Sequence, residues 1–278
     1  MLDGGGDNGI GAVTEWMRDP SKMFDVSGQT AIVTGASGAF GRGIAVVLGA
    51  QGANVLLASG NEEELKKVAA DVEEVGGKAA YIVRRPDSLE DTEAMRDAAL
   101  ENFGSIKMVA IGSGYNKAGF IHELEYETWQ DVMDANVRGA WFIAKAVGSY
   151  WIENEIKGKM LLMSSVRGRH GNISGYTGYC ASKGATDGLT RVLATEWAKY
   201  GTTVNAIAPT VFRSNLTSWM YGDDELGQAT KARSLSRIPL GRLGEVDDLM
   251  GMALYLLSPA SDFCTGQVMY VDGGFTAG

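Results

Sequence analysis

The chain has 278 residues, a net charge of −9 from 25 Lys and Arg against 34 Asp and Glu, and is 45% hydrophobic. That acidity disfavours nucleic acid and anionic membrane surfaces, which select clustered Lys and Arg. There is no run of about 18 apolar residues, the opening MLDGGGDNGIGAVTEW lacks the basic and apolar regions of a secretory signal, and two cysteines and two histidines make neither a disulfide framework nor a zinc cluster. The expectation is therefore a protein of the reducing cytoplasm, with no metal, no nucleic acid and no membrane among its partners.

Residues 1 to about 24 are Gly-rich without a clear period and read as an N-terminal arm, held by Trp16 and Phe24. From Thr30 the pattern alternates. TAIVTG is a short apolar run closed by glycine, a buried strand, and Arg42 to Gly52 follows as a helix with small residues toward the sheet. NVLLAS is a second strand, and Asn61 caps the helix NEEELKKVAADVEEVGG, which stops at a glycine pair. AAYIVRR, LEDTEAMRDAALENFG and IKMVAIGSG read as strand, helix and strand. A helix, the strand KMLLMSS, a helix from about Tyr179, the strand TTVNAIAP and the closing strand QVMYVD complete the series. Strands alternating with helices predict an α/β fold, a single doubly wound parallel sheet of Rossmann type flanked by helices over residues 25–278. The widest interval between strands, about 211–248, is helical and polar and is read as a lid over the strand ends, where ligands bind in such sheets.

The turn TGASGAFG, Thr34 to Gly41, joins the first strand to the first helix. Glycines there let the backbone approach a pyrophosphate seated on the helix N-terminus. Gly35 and Gly41 hold the outer positions, whereas Ala39 adds a methyl where a third glycine is expected, with Gly38 one residue earlier. The loop by itself is compatible with a ligand-free turn.

YCASK places Tyr179 and Lys183 one turn apart on one helix face. MSSVRG puts Ser165 fourteen residues upstream of Tyr179 at a strand end, and DANVRG offers Asn136 within a helix. VNAIAPTVFRS and GQVMYVDGGFTAG follow downstream. In this order, the loop, Asn, Ser, YxxxK, AP and VDGG resemble the short-chain dehydrogenase/reductase family over residues 25–278. MFDVSGQTAIVTG, ATEWAKYG and the C-terminus are closest to its gluconate 5-dehydrogenase branch. The resemblance implies hydride transfer between NAD(P) and a secondary alcohol or ketone. Tyr179 would move the proton at the reacting oxygen. A free phenol titrates near 10, so the expectation is that Lys183 and a cationic nicotinamide lower it, while Ser165 hydrogen-bonds the substrate oxygen. By resemblance, Lys183 also holds the nicotinamide ribose and Asn136 supports a water relay to Lys183. Tyr176 cannot substitute for Tyr179, because the residue four later is Cys180.

The resemblance places the cofactor on Gly35, Ser37, Phe40, Gly41, Ser59, Arg85, Gly114, Tyr179, Lys183, Pro209 and Val211. The chain departs from the family at Ala39; at Ser59 and Gly60, where NAD-preferring members carry an Asp; at Arg85, where an Asp usually meets the adenine; and at IGSG, which replaces NNAG and keeps Gly114. Without the Asp, repulsion against a 2′-phosphate is gone, and Ser59 with Arg84 or Arg85 tilts the expectation to NADP over NAD. The same departures also fit a cofactor-poor pseudoenzyme subunit of a hetero-oligomer, although the intact set of Asn136, Ser165, Tyr179 and Lys183 weighs against that. Arg167, Arg213 and Trp219 are candidate substrate contacts: an arginine for a carboxylate or phosphate, and an aromatic lid surface for a ring. Sugar acids, polyols and cyclic alcohols all stand as substrate candidates. The family resemblance implies a homotetramer.

Overall fold

The computed structural model describes residues 13–278. The proposed arm at residues 1–12 lies outside the described residues. In the rest of it, the short helix α1 (Glu15–Arg18) and a 3-10 turn (Pro20–Phe24) bury no residue, so Trp16 is not the anchor the sequence suggested. The turn lies against a second one at Pro259–Ser261.

Seven parallel strands form one sheet in the order β3-β2-β1-β4-β5-β6-β7. In chain order, β1 (Thr30–Thr34), α2 (Ala39–Ala50), β2 (Asn54–Ser59), α3 (Glu62–Glu74), β3 (Lys78–Val83), α4 (Leu89–Phe103) and β4 (Met108–Ile111) make the first half. Then come α5 (Tyr126–Met133), α6 (Gly139–Glu153), β5 (Lys159–Met163), α7 (Thr177–Trp197), β6 (Thr203–Pro209), α8 (Glu225–Leu235), α9 (Asp247–Leu257) and β7 (Val268–Val271). The predicted alternation is borne out, with helix starts set by local chemistry. Asn61 accepts from the amide of Glu64 and Ser88 from that of Asp91, satisfying amides that a helix start leaves free.

Each central strand is buried on both faces, as parallel strands between helix layers must be. Ala31 and Val33 of β1 face Ile44, Leu48 and Leu256 on one side, while Ile32 faces Met95, Ile143 and Trp151 on the other. β1 pairs with β2 on one edge and β4 on the other, with Thr34 opposite Ala58 and Ile111. The connections reverse direction there and open a crevice at the carboxyl ends of β1 and β4. A third apolar cluster (Val166, Met220, Ile238, Leu243 and Phe275) fastens the segment after β6 over the ends of β5 and β6.

Candidate active site

At the crevice the chain turns from β1 to α2 through Gly35, whose φ of +64° favours glycine. A β-carbon on Gly35 would sit 2.6 Å from the backbone of Gly112 and Ser113, and one on Gly41 would strike the Gly35 carbonyl. Both glycines therefore let three backbone segments close on one another. Ala39 is accommodated as the first residue of α2, with Gly38 as its cap in extended backbone. Gly38 offers no side chain to the first amides of α2. This narrow glycine cradle under an uncapped helix start fits the pyrophosphate of a dinucleotide. Ser37 is half-buried in the same turn, and Phe40 packs edge-on against Phe212, with ring centroids 5.3 Å apart.

The two arginines after β3 have separate fates. Arg84 is ion-paired to Asp91 at 2.6 Å. Arg85 lies across the end of β2: a β-carbon on Gly60 would be 2.7 Å from its Nε. No carboxylate pairs with Arg85 among the described residues. Ser59 is buried there, with its hydroxyl accepting from the amide of Asn61 at 3.2 Å. A cation with open donors at the end of β2 suits the ribose end of a phosphorylated adenosine.

Ser164 and Ser165 follow β5. Ser165 is buried, accepts from the Arg167 amide at 3.1 Å and faces the Pro209 carbonyl at 3.5 Å. Tyr179 stands in the first turn of α7, hydrogen-bonded to the Ser165 side chain. Lys183, one turn on, is only 5% exposed, donates to the Met163 carbonyl at 2.7 Å and lies 5.5 Å from the centroid of the Tyr179 ring. A β-carbon on Gly114 would be 2.9 Å from Asn136 Oδ1 and 3.8 Å from Lys183 Nζ. Asn136, Ser165, Tyr179, Lys183 and Gly114 thus converge. Pro209 borders the group through Ser165, and Val211 joins the cluster beneath the lid.

Asn136 occupies a π-helical turn (Asp134–Arg138) between α5 and α6. Such turns interrupt the regular ladder and recur at functional sites. Its amide is fully engaged: Oδ1 accepts from the Tyr115 amide at 2.8 Å, and Nδ2 donates to the Tyr115 carbonyl at 2.8 Å and to Ser182 Oγ at 2.9 Å.

In the protein without cofactor, burial sets the titration of Tyr179 and Lys183. Burial pushes the Tyr179 phenol above its ordinary value, and the Ser165 hydrogen bond only partly opposes this. Burial also depresses the Lys183 ammonium to about 8, with Asp187 pulling the other way. In the protein by itself, desolvation governs the Tyr179 phenol, and the neighbours that favour its phenolate are Ser165 and Arg167. Asp187 escaped the sequence reading, although its spacing of four from Lys183 repeats the interval between Tyr179 and Lys183. It accepts from Ser164 Oγ at 2.5 Å, and burial raises its carboxyl against that bond.

The substrate candidates separate as well. Arg213 is on the solvent side, 3.5 Å from Glu245 and stacked 4.5 Å over Tyr221. Both neighbours belong to the segment 211–248 that carries Arg213 itself. Trp219 is 48% exposed in the 3-10 turn Asn215–Tyr221. Arg167 is half-buried beside Ser165 and 5.5 Å from the Phe275 ring.

The family model described as enoyl-(acyl carrier protein) reductase matches residues 35–276. An uncharacterized oxidoreductase of Mycobacterium tuberculosis H37Rv is 46% identical over 256 residues, 91% of this chain and 93% of that protein. Gluconate 5-dehydrogenase of Gluconobacter oxydans is 34% identical, over 91% of this chain and 97% of the other. A solved structure with bound NADP, described as a 2-deoxy-D-gluconate 3-dehydrogenase of Agrobacterium tumefaciens, superposes with a TM-score of 0.82 at 31% identity, covering 92% of this chain and 99% of that one.

Proposed function

The chain belongs to the short-chain dehydrogenase/reductase family, and from that premise we infer that Tyr179 is the proton-transfer residue of an NAD(P)-dependent oxidoreductase. The protein moves a hydride between NAD(P) and a secondary alcohol or its ketone, as its relatives do. What carries the residue assignment is one observation: Ser165, Tyr179 and Lys183 meet beside the glycine cradle at the carboxyl ends of β1, β4 and β5.

When bound, NAD(P) supplies the hydride donor or acceptor. Ser165 orients the substrate oxygen toward Tyr179. The raised phenol holds its proton at neutral pH and gives it to a carbonyl oxygen during reduction; in the other direction it takes the carbinol proton, aided by the Lys183 charge. Lys183 would hold the nicotinamide ribose by exchanging its bond to the Met163 carbonyl. Asn136 fixes the Tyr115 backbone and Ser182, which sits beside Lys183 on α7, and so positions the lysine. Gly35, Ser37, Phe40, Gly41 and Gly114 line the pyrophosphate and nicotinamide side, together with Pro209 and Val211.

Arg85 over Gly60, with Ser59 beneath, favours NADP over NAD. The acid-substrate relatives keep sugar acids in view, alongside polyols and cyclic alcohols. The pseudoenzyme reading finds no support. Exposed Tyr126, Trp141 and Val192 on α5, α6 and α7 support assembly into a homotetramer, and two free cysteines support a cytoplasmic setting. Residues 25–278 act as one domain, with 211–248 as its lid.

The test is a panel of ketones and alcohols followed by absorbance of the reduced nicotinamide, with Tyr179→Phe as control. The variant should lose about 100-fold or more in kcat while still binding NADPH. Turnover undiminished in the variant would refute the assignment. Sedimentation as a monomer would remove the tetramer.

A further inference from the structure

Two guanidinium groups share one aromatic ring beside the proton-transfer residues. Arg167 lies 5.5 Å and Arg237 4.2 Å from the centroid of Phe275. Neither has a carboxylate partner among the described residues. Arg167 donates from one terminal nitrogen to the Gly171 carbonyl at 2.6 Å and makes no ion pair. Asp272, the carboxylate of the same C-terminal turn, is occupied by the amides of Gly274 and Thr276 and by the Thr276 hydroxyl. The His170 ring stands edge-on to Phe275 at 5.9 Å, and its Nε2 is buried with no hydrogen-bond partner. Buried polar atoms left in that condition are uncommon and need an explanation.

The group is tied to the reacting end. The Arg167 amide donates to Ser165 Oγ, and the His170 carbonyl accepts from Cys180, the residue after Tyr179. Arg237 comes from the lid, next to Ile238 in the apolar cluster that holds the lid down. The two like charges, Arg167 half-buried and Arg237 exposed, repel one another, and an anion between them would relieve that repulsion. Burial and the proximity of Arg237 both depress the Arg167 guanidinium, as that repulsion requires. Two arginines against one ring, with no acid paired to either among the described residues, suit recognition of an anion, since guanidinium forks bind carboxylate and phosphate in two-pronged fashion.

We propose that Arg167 and Arg237, braced on Phe275, bind an anionic group of the substrate, a carboxylate or a phosphate, at the end remote from the reacting carbinol. The substrate class is thus narrowed to acidic alcohols and keto acids or their phosphorylated counterparts. Because Arg237 belongs to the lid, the anion also holds the lid closed. This rests on the oxidoreductase reading above.

The test uses the full-length protein saturated with NADPH and two matched pairs of compounds. 5-Keto-D-gluconate and L-sorbose differ in a carboxylate, and D-fructose 6-phosphate and D-fructose differ in a phosphate. Calorimetric titration and initial rates should show the charged member of at least one pair favoured by about tenfold or more, and the pair concerned identifies carboxylate or phosphate. Arg237→Gln should remove that preference, raising KM more than it lowers kcat, and Arg237→Lys should restore part of it. Equal binding within both pairs, or no binding by any of the four, overturns the proposal. So does a preference undiminished in Arg237→Gln, including one accompanied by altered sedimentation, which would place Arg237 at a subunit interface. Nicotinamide fluorescence reports separately on NADPH binding. NADPH bound without any charge preference sinks only the arginine pair, whereas failure to bind NADPH sinks the oxidoreductase reading.

Discussion

Ser164 donates a 2.5 Å hydrogen bond to Asp187, and Asp187 lies one helical turn beyond Lys183 on the same face of α7. Its carboxylate is the neighbour that favours the Lys183 ammonium against burial. Removing that charge should push Lys183 below about 8. In Asp187→Asn, the alkaline limb of the kcat/KM profile should move to lower pH, with activity at pH 8 falling more than activity at pH 6.5. Asp187 acts through Lys183 and is a positioning residue, so an unmoved limb would leave it a packing role only.

Lys183 also makes a stability prediction. Its value in the folded protein is about 8, against about 10.4 in an unfolded chain, and one pKa unit corresponds to about 1.4 kcal/mol. Between those values the unfolded state binds more protons, so stability rises with pH across that window. Below about pH 8 the full cost, roughly 3 kcal/mol, is present; above about 10.4 it is gone. Lys183→Met removes it but strands the Met163 carbonyl, which costs about 1 kcal/mol. The variant should be inactive and melt a few degrees higher than the parent at pH 7, and this advantage should shrink as the pH is raised toward 10. Thermal unfolding at several pH values checks it; a variant less stable than the parent throughout would count against the buried charge.

Asn136 satisfies both backbone polar groups of Tyr115 and contacts Ser182. It is 4% exposed, so water cannot readily replace it. Asn136→Ala should cost about 2–4 kcal/mol, since each buried group left unpaired costs about 1–3. Asn136→Asp should do no better, because an acceptor would then face the Tyr115 carbonyl. Urea unfolding measures both, and a loss below about 0.5 kcal/mol would mean that the network is replaceable.

Arg84 and Arg85 offer an internal control on cofactor choice. Arg85→Ala should weaken NADPH by about tenfold, the lower end for a charge-assisted bond at an exposed site, and leave NADH nearly unaffected. Arg84→Ala should change neither, because Arg84 is held by Asp91. Calorimetry at two salt concentrations reads the difference, and the Arg85 effect should be smaller at the higher salt. Equal losses of NADPH and NADH in Arg85→Ala would dissociate this arginine from the 2′-phosphate.

The sequence by itself determined what depends on near neighbours in the chain. The apolar runs bounded by glycine became strands, Asn61 capped the helix it precedes, and the four-residue interval placed Tyr179 and Lys183 on one face. These follow from backbone sterics, helical period and the hydrogen bonds a few residues can exchange among themselves. Only the tertiary structure decided which of several similar residues was available. It paired Arg84 and freed Arg85, tied Arg213 to the lid, and brought Arg237 from one segment and Phe275 from the C-terminus to Arg167. It also set the upward shift of the Tyr179 phenol in the protein by itself, because desolvation depends on everything packed around a group, whereas spacing along the chain reports only its sequence neighbours.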